Sequence, residues 1–341
     1  MNVAWKSFQL KFNHPFTISK GTKTHQPTLV VSLEHMGQTG FGEAPAITYY
    51  NISTEQMEAD LEKKKAIIEK FAITDPARFW HFLHHLLPAN PFLVCALDIA
   101  AWDLFGKIRR MPVYKMIGAA NPSGPMTDYT IGIDSIPTMV AKMKEKPWPI
   151  YKIKLGTNED IEIITELRKH TQSIFRIDAN AAWQPREALE KIKAFAGLGV
   201  EFIEQPLAKD DWEGMKWLYE KSPLPLIADE SCVKEHDVAK CDGHFHGINI
   251  KLTKCSGFTP ALQMIRDARK RNMKVMVGAM NECTIGSAAI AHLLPLIDYV
   301  DMDGPLLLAE DLATGLEFKD GHVTINPVPG FGAMPGAGLL I

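Results

Sequence analysis

Charged residues in the second half of the chain are spaced so that they could build one catalytic site. Lys152 and Lys154 stand one residue apart, and a third lysine, Lys251, follows further along. Three acids lie between these lysines, namely Asp178, Glu204 and Asp229. Converging carboxylates repel one another unless a cation joins them, and ligand sets made only of oxygen suit a hard ion such as Mg²⁺. The pattern therefore predicts a Mg²⁺ site bordered by lysines.

A divalent cation between lysines suits removal of a proton next to a carboxylate. The resulting enolate is too unstable in water, but a metal and a fixed ammonium can stabilise it where its charge develops. A lysine base must lose its proton near neutral pH, and a neighbouring cation favours the neutral form. We expect Lys154 to act on one face of the substrate and Lys251 on the other, while Lys152 helps to hold the substrate carboxylate. Two opposed bases predict inversion, as in a racemase or epimerase.

The elements that carry these residues read as a barrel. After Pro122, eight short apolar strands alternate with helical segments, as in a closed (β/α) barrel. The predicted strands cover Asp128 to Ile133, Tyr151 to Leu155, Phe175 to Asn180, Phe202 to Pro206, Leu226 to Glu230, Ile248 to Thr253, Lys274 to Met280 and Tyr299 to Gly304. Active sites of such barrels lie at the carboxyl ends of the strands. Lys154 on strand two and Lys251 on strand six would then face each other.

In the first part of the chain the predicted strands come first and the helices follow, without the alternation seen after Pro122. Strands at Trp5 to Phe12 and Thr28 to Glu34, joined by a polar Gly/Thr/Lys loop, precede three helices, and this grouping is typical of an α+β domain. We therefore expect an α/β protein with a (β/α)7β TIM-like barrel at 116–315 and an N-terminal α+β capping domain at 1–115. The tail, from about 316 to 341, should return to the capping domain.

Composition narrows the class of protein. The chain has 341 residues, 46% of them apolar, and a net charge of −3 without a basic block, which argues against nucleic acid and anionic membranes as partners. Five scattered cysteines and the lack of a signal peptide favour a reduced, cytoplasmic location. The apolar stretch from Pro91 to Leu104 contains Asp98 and Asp103 and predicts a buried helix. A homo-oligomer remains open, because no interface can be read from the sequence.

Two acids on strand eight indicate the substrate. Asp301 and Asp303 share a face opposite strand four and would attract a substrate ammonium. A barrel with a strand spacing of ~4.8 Å and a tilt of ~36° is about 15 Å across its backbone, which leaves about 7 Å between side chains. Two extended residues of ~3.5 Å each would fill that space. The spacing therefore favours a dipeptide over a free amino acid.

This set of motifs resembles the enolase superfamily, in its muconate lactonising subgroup. The segment Asp-Met-Asp-Gly-Pro at 301–305 is similar to the signature of the dipeptide epimerases, isomerases that invert the α-carbon of the C-terminal residue. The resemblance implies that the loops Ile18 to His25 and Ala46 to Asn51 close over the substrate. It also implies that substrate-binding positions include Thr130, Ala279, Met280 and Met302.

The chain departs from that pattern at two positions. Relatives that act on Ala-Glu generally carry an arginine in the first cap loop, where this chain has Lys20 to Lys23, and Ala279 replaces the usual serine. Without a guanidinium, a glutamate side chain lacks a bidentate partner. Tyr49 and Tyr50 could instead line an apolar pocket. We therefore expect Ala-Ala-like or hydrophobic dipeptides as substrates.

Other functions are compatible with part of the pattern. An Ala-Glu dipeptide epimerase is the nearest alternative. Within the same subgroup, an N-acylamino acid racemase, an o-succinylbenzoate synthase or a muconate cycloisomerase would use the same acids and lysines, but their substrates lack a free ammonium for Asp301 and Asp303. A peptide-binding scaffold without catalysis is the alternative from another class.

Overall fold

The N-terminal part of the chain forms an antiparallel sheet. The computed structural model describes residues 1–18 and 21–339, so Lys20 lies outside the described residues. The three strands of this sheet pair in the order in which they occur in the chain. Their bounds are β1 Asn2–Ile18, β2 Gly21–His35 and β3 Gln38–Pro45.

The hairpin of β1 and β2 corrects one prediction. The polar Gly/Thr/Lys segment expected to be a loop continues both strands, with Phe16 opposite Lys23 and Thr17 opposite Thr22. The register shifts between Lys11 and Phe16, which marks an irregularity in the ladder. The tip of the hairpin contacts the barrel, where the N–H of Ile133 donates to the carbonyl of Thr17 at 3.0 Å. That tertiary hydrogen bond favours extended backbone in a segment whose residues alone suggest a turn.

Three helices follow the sheet, namely α1 Thr54–Ile68, α2 Pro76–Leu86 and α3 Pro91–Ile108, of which α1 and α3 pack on the sheet and α2 packs on α3. Ser53 caps α1, Asp75 caps α2 and Asn90 caps α3, each by accepting a backbone N–H. Helix α3 is buried almost all round, as predicted from its apolar sequence. It lies close against β3, because a Cβ at Gly42 would stand 1.9 Å from the carbonyl oxygen of Ala96. Glycine at this position permits the contact.

The second part of the chain is an eight-stranded parallel barrel. Its strands are β4 Tyr129–Ile131, β5 Ile150–Lys154, β6 Ile174–Asp178, β7 Val200–Glu204, β8 Leu226–Ala228, β9 Gly247–Ile250, β10 Lys274–Gly278 and β11 Tyr299–Asp301. They neighbour one another in sequence order from β4 to β11. A parallel bridge between Thr127 and Val300 joins the first strand to the last. The predicted barrel is confirmed, and β5 and β9 stand four strands apart, on opposite walls.

Helices alternate with the barrel strands. In chain order they are α4 Val113–Met116, α5 Ile136–Glu145, α6 Asp160–Arg168, α7 Pro185–Phe195, α8 Trp212–Tyr219, α9 Asp237–Cys241, α10 Leu252–Cys255, α11 Phe258–Lys270, α12 Thr284–Ala291 and α13 Gly304–Leu307. The last of them is a single turn, in agreement with the prediction that strand eight is not followed by a long helix. Across residues 1–18 and 21–339, no helix combines the length and apolarity needed to cross a membrane.

The C-terminal segment packs against α3. Its short strands are β12 Ala313–Thr314, β13 Leu316–Lys319, β14 His322–Ile325 and β15 Met334–Pro335. The N–H of Phe331 donates to Asp103 Oδ1 at 2.8 Å, and the N–H of Val113 donates to the carbonyl of Gly330 at 3.0 Å. The exact division of the chain at residues 115 and 315 stays a prediction.

Candidate active site

The three predicted acids converge at the carboxyl ends of neighbouring strands. Asp178 ends β6, Glu204 ends β7 and Asp229 follows β8. One carboxylate oxygen from each lies within 4.8 Å of the other two, and all three side chains are buried. The parallel register aligns Lys154 with Asp178 and Asp178 with Glu204, so these side chains share one level of the barrel.

One oxygen of each acid faces a lysine. Asp178 Oδ2 lies 2.6 Å from Lys154 Nζ, and Asp229 Oδ2 lies 2.8 Å from Lys251 Nζ. Glu204 Oε2 lies 2.7 Å from Lys152 Nζ. Lys152 and Lys154 therefore form ion pairs with Asp178 and Glu204, and Lys251 forms an ion pair with Asp229, so that the close approach of the three carboxylates joins these ion pairs into one network of charges.

The other oxygen of each acid is held from outside this network. The N–H of Asn180 donates to Asp178 Oδ1 at 2.9 Å, and Lys254 Nζ donates to Asp229 Oδ1 at 2.6 Å. Asn249 Nδ2 donates to Glu204 Oε1 at 2.7 Å. Each carboxylate is thus fixed by one oxygen and presents the other to the centre.

The charges of the acids are unevenly balanced. Burial opposes ionisation of Asp178 and Asp229, but the lysines at 154 and 152, and those at 251 and 254, hold the pKa values of these two acids below their usual range. Burial and the charge of Asp178 raise the pKa of Glu204 to about 7. Glu204 Oε2 is also buried without an aligned hydrogen bond, although Lys152 Nζ is close. Three buried acids that offer only oxygen ligands within 4.8 Å of one another, one of them without an aligned hydrogen bond, fit a hard divalent cation such as Mg²⁺.

Burial and the neighbouring carboxylates also shift the pKa values of two of the lysines. Burial alone would lower the pKa of Lys251, but the adjacent Asp229 carboxylate raises it above its usual value. Burial would likewise lower the pKa of Lys152, and the surrounding carboxylates, Asp301 first and then Glu204, raise it. Lys152 is therefore a fixed cation in this arrangement.

A cavity of about 370 Å³ opens above the network. Its floor includes Lys152, Lys154, Lys251 and Asp229, and its roof comes from the N-terminal part of the chain. The predicted substrate-binding residues that line it are Lys152, Thr130, Asp301, Asp303, Ala279, Met280 and Tyr50. Phe16, Ile18 and Ile47 add apolar surface.

The eighth barrel strand, β11, is connected to the three acids through one lysine. Asp301 Oδ2 lies 2.7 Å from Lys152 Nζ, and Asp303 Oδ2 accepts the N–H of Thr130 at 2.6 Å. Burial would raise the pKa of Asp301, but Lys152 lowers it, whereas burial and the charge of Asp301 raise the pKa of Asp303 to about 7. We expected open space between the fourth and eighth barrel strands, β7 and β11. The Lys152 ammonium occupies part of that space, because it contacts both Glu204 and Asp301.

Met302 does not lie in the cavity. It is fully buried, it packs in the barrel core, and its N–H donates to Thr127 Oγ1 at 3.0 Å. The alternation of side chains along a strand explains the difference, because Met302 points away from the face that Asp301 and Asp303 share.

Several residues of this site were absent from the sequence-based prediction. Asn249 stands two residues before Lys251, so strand periodicity could have placed it on the same face. Lys254 has no such signal, because it follows the end of the strand on a short helix. Gln205 accepts the N–H groups of Asp229 and Ser231 with one oxygen, at 3.0 and 3.1 Å, and so fixes the end of strand five to strand four.

Comparison with protein families identifies both parts of the chain. Residues 3–118 match the family described as "Mandelate racemase / muconate lactonizing enzyme, N-terminal domain". Residues 138–336 match the family described as "Enolase C-terminal domain-like".

Individual relatives extend over nearly the whole chain. A protein of Flavobacterium johnsoniae named L-Ala-D/L-amino acid epimerase is 52% identical over 97% of this chain and 99% of its own length. The dipeptide epimerase of Cytophaga hutchinsonii, solved with Mg and D-Ala-L-Val, superposes with a TM-score of 0.93 at 26% identity, over 100% of this chain and 98% of that one. The dipeptide epimerase of Enterococcus faecalis, solved with Mg and L-Leu-L-Tyr, gives 0.92 at 28% identity, over 98% and 99%.

Proposed function

Since the chain belongs to the mandelate racemase and muconate lactonizing enzyme family of the enolase superfamily, we propose that it is a Mg²⁺-dependent dipeptide epimerase acting at the α-carbon of the C-terminal residue. The single observation that carries this proposal is the position of Lys154 and Lys251 on opposite walls of the barrel, each within 2.8 Å of an acid of the buried trio. The close relatives of the chain are epimerases, which supports the same reaction class.

Two lysines exchange the proton in this proposal. One Nζ, neutral when the substrate binds, takes the α-proton, so that the C–H bond breaks, an N–H bond forms and the substrate becomes an enolate. The other Nζ, charged at that moment, gives a proton to the opposite face, which inverts the carbon. Lys154 serves one face and Lys251 the other.

The metal site supports this proton transfer. Asp178, Glu204 and Asp229 would hold Mg²⁺, which when bound supplies positive charge for the substrate carboxylate and the enolate, and offsets the carboxylate charge that now raises the pKa of Lys251. Lys152 adds a permanent ammonium at the same place, because Glu204 and Asp301 hold it at 2.7 Å each. This buried cation is suited to bind the substrate carboxylate.

The acid pair Asp301 and Asp303 suits the substrate ammonium. Asp301 and Asp303 both line the cavity and are almost fully buried. An ammonium that reaches them would lose its contacts with water and gain contacts with two carboxyl groups. Together with Lys152 they would fix a dipeptide by its two charged ends. N-acylated amino acids and muconates lack the ammonium, which favours a dipeptide over the substrates of the other subgroup reactions.

The cavity roof favours apolar side chains. Phe16, Ile18, Ile47 and Tyr50 line it, and we propose Ala-Ala-like or hydrophobic dipeptides as preferred substrates. Among the described residues, Lys23 is the positively charged residue in the cavity roof. Its Nζ lies 3.4 Å from Gln26 Oε1. Ala-Glu is therefore the second candidate, with Lys23 as the group that could meet a glutamate carboxylate. All five cysteines are free and buried, which supports a cytoplasmic location.

Direct assay of dipeptides tests the proposal. The enzyme with Mg²⁺ is incubated with L-Ala-L-Ala, L-Ala-L-Leu and L-Ala-L-Glu, and chiral chromatography after hydrolysis determines which residue has changed configuration. We expect D-configuration to appear only at the C-terminal residue, fastest for the apolar substrates. Inversion of the N-terminal alanine, or no inversion while N-acetyl amino acids racemise, would reject the proposed function.

A further inference from the structure

Two buried residues outside the cavity hold the outer oxygens of two of the three acids, Asp229 and Glu204. Lys254 Nζ donates to Asp229 Oδ1 at 2.6 Å, and Asn249 Nδ2 donates to Glu204 Oε1 at 2.7 Å. Neither residue lines the cavity, so neither can touch the substrate. We propose that Lys254 and Asn249 are positioning residues that set the affinity of the metal site, an inference that rests on the proposed use of these acids as metal ligands.

The environment of Lys254 shows that its ammonium is fixed. Its side chain is fully buried, and Nζ also donates to the carbonyls of Asp229 at 2.5 Å, Cys232 at 2.9 Å and Asn249 at 3.2 Å. The ammonium therefore joins a metal-binding acid, the loop that follows this acid and the strand that carries Lys251. A lysine tied to four acceptors is a structural cross-link and has no freedom to act as a base.

The short helix α10 places Lys254 at this point. The helix begins directly after Lys251 and ends at Ser256, which adopts the left-handed conformation with φ 73°. This single turn brings Lys251 and Lys254 to different oxygens of the same carboxylate, Oδ2 and Oδ1. Asp229 is therefore oriented by Lys254 while its other oxygen remains with Lys251.

Asn249 has an equivalent position on Glu204. Its side chain lies over Gly278 of the next strand, where a Cβ would stand 2.7 Å from Asn249 Oδ1. A glycine at 278 leaves the room that the amide needs. The amide holds Glu204 Oε1, and Glu204 Oε2 is left to face the centre of the site.

Two opposite effects could follow from removal of Lys254. Loss of a nearby positive charge would, by itself, make a divalent cation bind more tightly. Loss of the cross-link would free Asp229 to rotate and would remove the Lys254 donor from Oδ1 and from three buried carbonyls. Removal of outer-shell partners commonly weakens metal binding by about 10- to 100-fold. If Lys254 is a positioning residue, the second effect dominates and the affinity falls.

Metal binding without substrate tests the inference. Mn²⁺ is titrated into the metal-free full-length enzyme, and free Mn²⁺ is measured by electron paramagnetic resonance. We expect Lys254→Met and Asn249→Ala each to weaken Mn²⁺ binding by about 10- to 100-fold. Lys254→Arg, which keeps a charged donor, should recover part of the affinity. Because no dipeptide is present, this result does not depend on whether the epimerase assay succeeds.

Lys191 provides a matched control. Its buried Nζ lies 2.8 Å from Asp160 Oδ2 and donates to the carbonyl of Thr157, but it contacts no acid of the trio. Lys191→Met should lower the free energy of unfolding and leave Mn²⁺ affinity within about twofold of the wild type. Equal or tighter Mn²⁺ binding by folded Lys254→Met would overturn the role of Lys254, and unchanged binding by Asn249→Ala would overturn that of Asn249. If Lys254→Met does not fold, Asn249→Ala and Lys254→Arg decide the inference.

Discussion

At the scale of single residues, the site depends on where each lysine meets an acid. Lys154 contacts Asp178 and Lys251 contacts Asp229, so the two proposed bases are attached to different members of the trio. Each can be removed without removing the other. The two faces of the substrate are therefore expected to respond separately to mutation.

Replacement of one base should block exchange from one stereoisomer only. For Lys154→Met we expect the α-proton of one epimer of L-Ala-Leu to stop exchanging with D₂O, and for Lys251→Met that of the other epimer. Net epimerisation should fall in both variants by about 10²- to 10⁴-fold, the usual contribution of a positioned acid or base. Proton NMR of each epimer measures the exchange.

Lys23→Met is the control for this pair, because Lys23 lines the same cavity but contacts Gln26 and not the three acids. It should retain exchange from both epimers. If either base variant lost exchange from both epimers equally, the assignment of one lysine to each face would be wrong.

Asp301→Asn should separate a dipeptide from an acylated substrate. The change removes the charge proposed to meet the substrate ammonium, and charged hydrogen bonds contribute roughly 1.5–3 kcal/mol. We expect kcat/KM for L-Ala-L-Leu to fall by about 10- to 100-fold. An unchanged rate would favour the alternative reactions on substrates without an ammonium.

The convergence of the acids, the lysines and the pair Asp301 and Asp303 could be predicted from sequence because each lies within two residues of the carboxyl end of a barrel strand, where alternation indicates the direction of its side chain. Met302 was wrong for the same reason, since it occupies the other face of that strand. Lys254 and Gln205 could not be predicted, because they act through loop geometry. The backbone turns at Gln205, where φ is 36°. No local sequence pattern predicts which distant N–H groups will donate to its side chain.

At the scale of elements, the hairpin of β1 and β2 determines how the cavity is covered. Its tip residues Phe16 and Ile18 line the cavity, and between them Thr17 accepts the N–H of Ile133. The barrel strands could be predicted to within a few residues from apolar runs, but this hairpin could not. Its polar residues resemble a turn, and its extended form depends on a contact with the far end of β4.

Gly132→Ala should disturb that contact. A Cβ at this position would lie 2.8 Å from the carbonyl oxygen of Thr17, so the hairpin must move away from the barrel. Overpacking costs about 1–3 kcal/mol, and a shift of about 1.4 kcal/mol in closure corresponds to a tenfold rise in KM for dipeptides. Steady-state kinetics measures this.

Gly197→Ala is the matched control, because a Cβ at Gly197 would meet no atom within 4 Å. Its KM should equal that of the wild type. A normal KM for Gly132→Ala would show that closure of the cavity does not need the contact between Thr17 and Ile133.

At the scale of the whole molecule, buried acids from the N-terminal part hold backbone N–H groups of the barrel. Glu43 accepts the N–H of Cys283 at 3.1 Å and that of Gly286 at 3.0 Å. Asp98 on α3 accepts the N–H and the hydroxyl of Thr259, both at 2.8 Å. These contacts attach the cavity roof to the walls, and the sequence indicated only that Asp98 interrupts an apolar helix.

Asp98 should make stability depend on pH. Burial raises its pKa to about 7, although the hydrogen bonds from Thr259 oppose the rise. Because the folded protein binds this proton more tightly than the unfolded chain, the contribution of Asp98 to stability is complete at low pH and is lost as pH rises towards 7. At about 1.36 kcal/mol per pKa unit, the loss between pH 5 and pH 7 is about 2 to 3 kcal/mol.

Asp98→Asn removes this titration and keeps an acceptor for Thr259. Urea unfolding of the wild type and the variant at pH 5 and pH 8 gives the free energy of unfolding of each protein. Relative to the wild type, the variant should be more stable at pH 8 than at pH 5. A difference that is the same at both pH values would contradict the raised pKa.

The most direct test of the two-base account is the early time course of the wild-type reaction in D₂O. L-Ala-L-Leu is incubated with enzyme and Mg²⁺, and mass spectrometry follows deuterium in the unconverted L,L dipeptide and in the L,D product before equilibrium. If one lysine removes the proton and the opposite lysine delivers another, the L,D product carries one deuterium at its C-terminal α-carbon from the earliest time points, because the second lysine delivers a proton that comes from solvent. An L,D product that retained the original protium would show that a single group serves both faces, and would contradict the account.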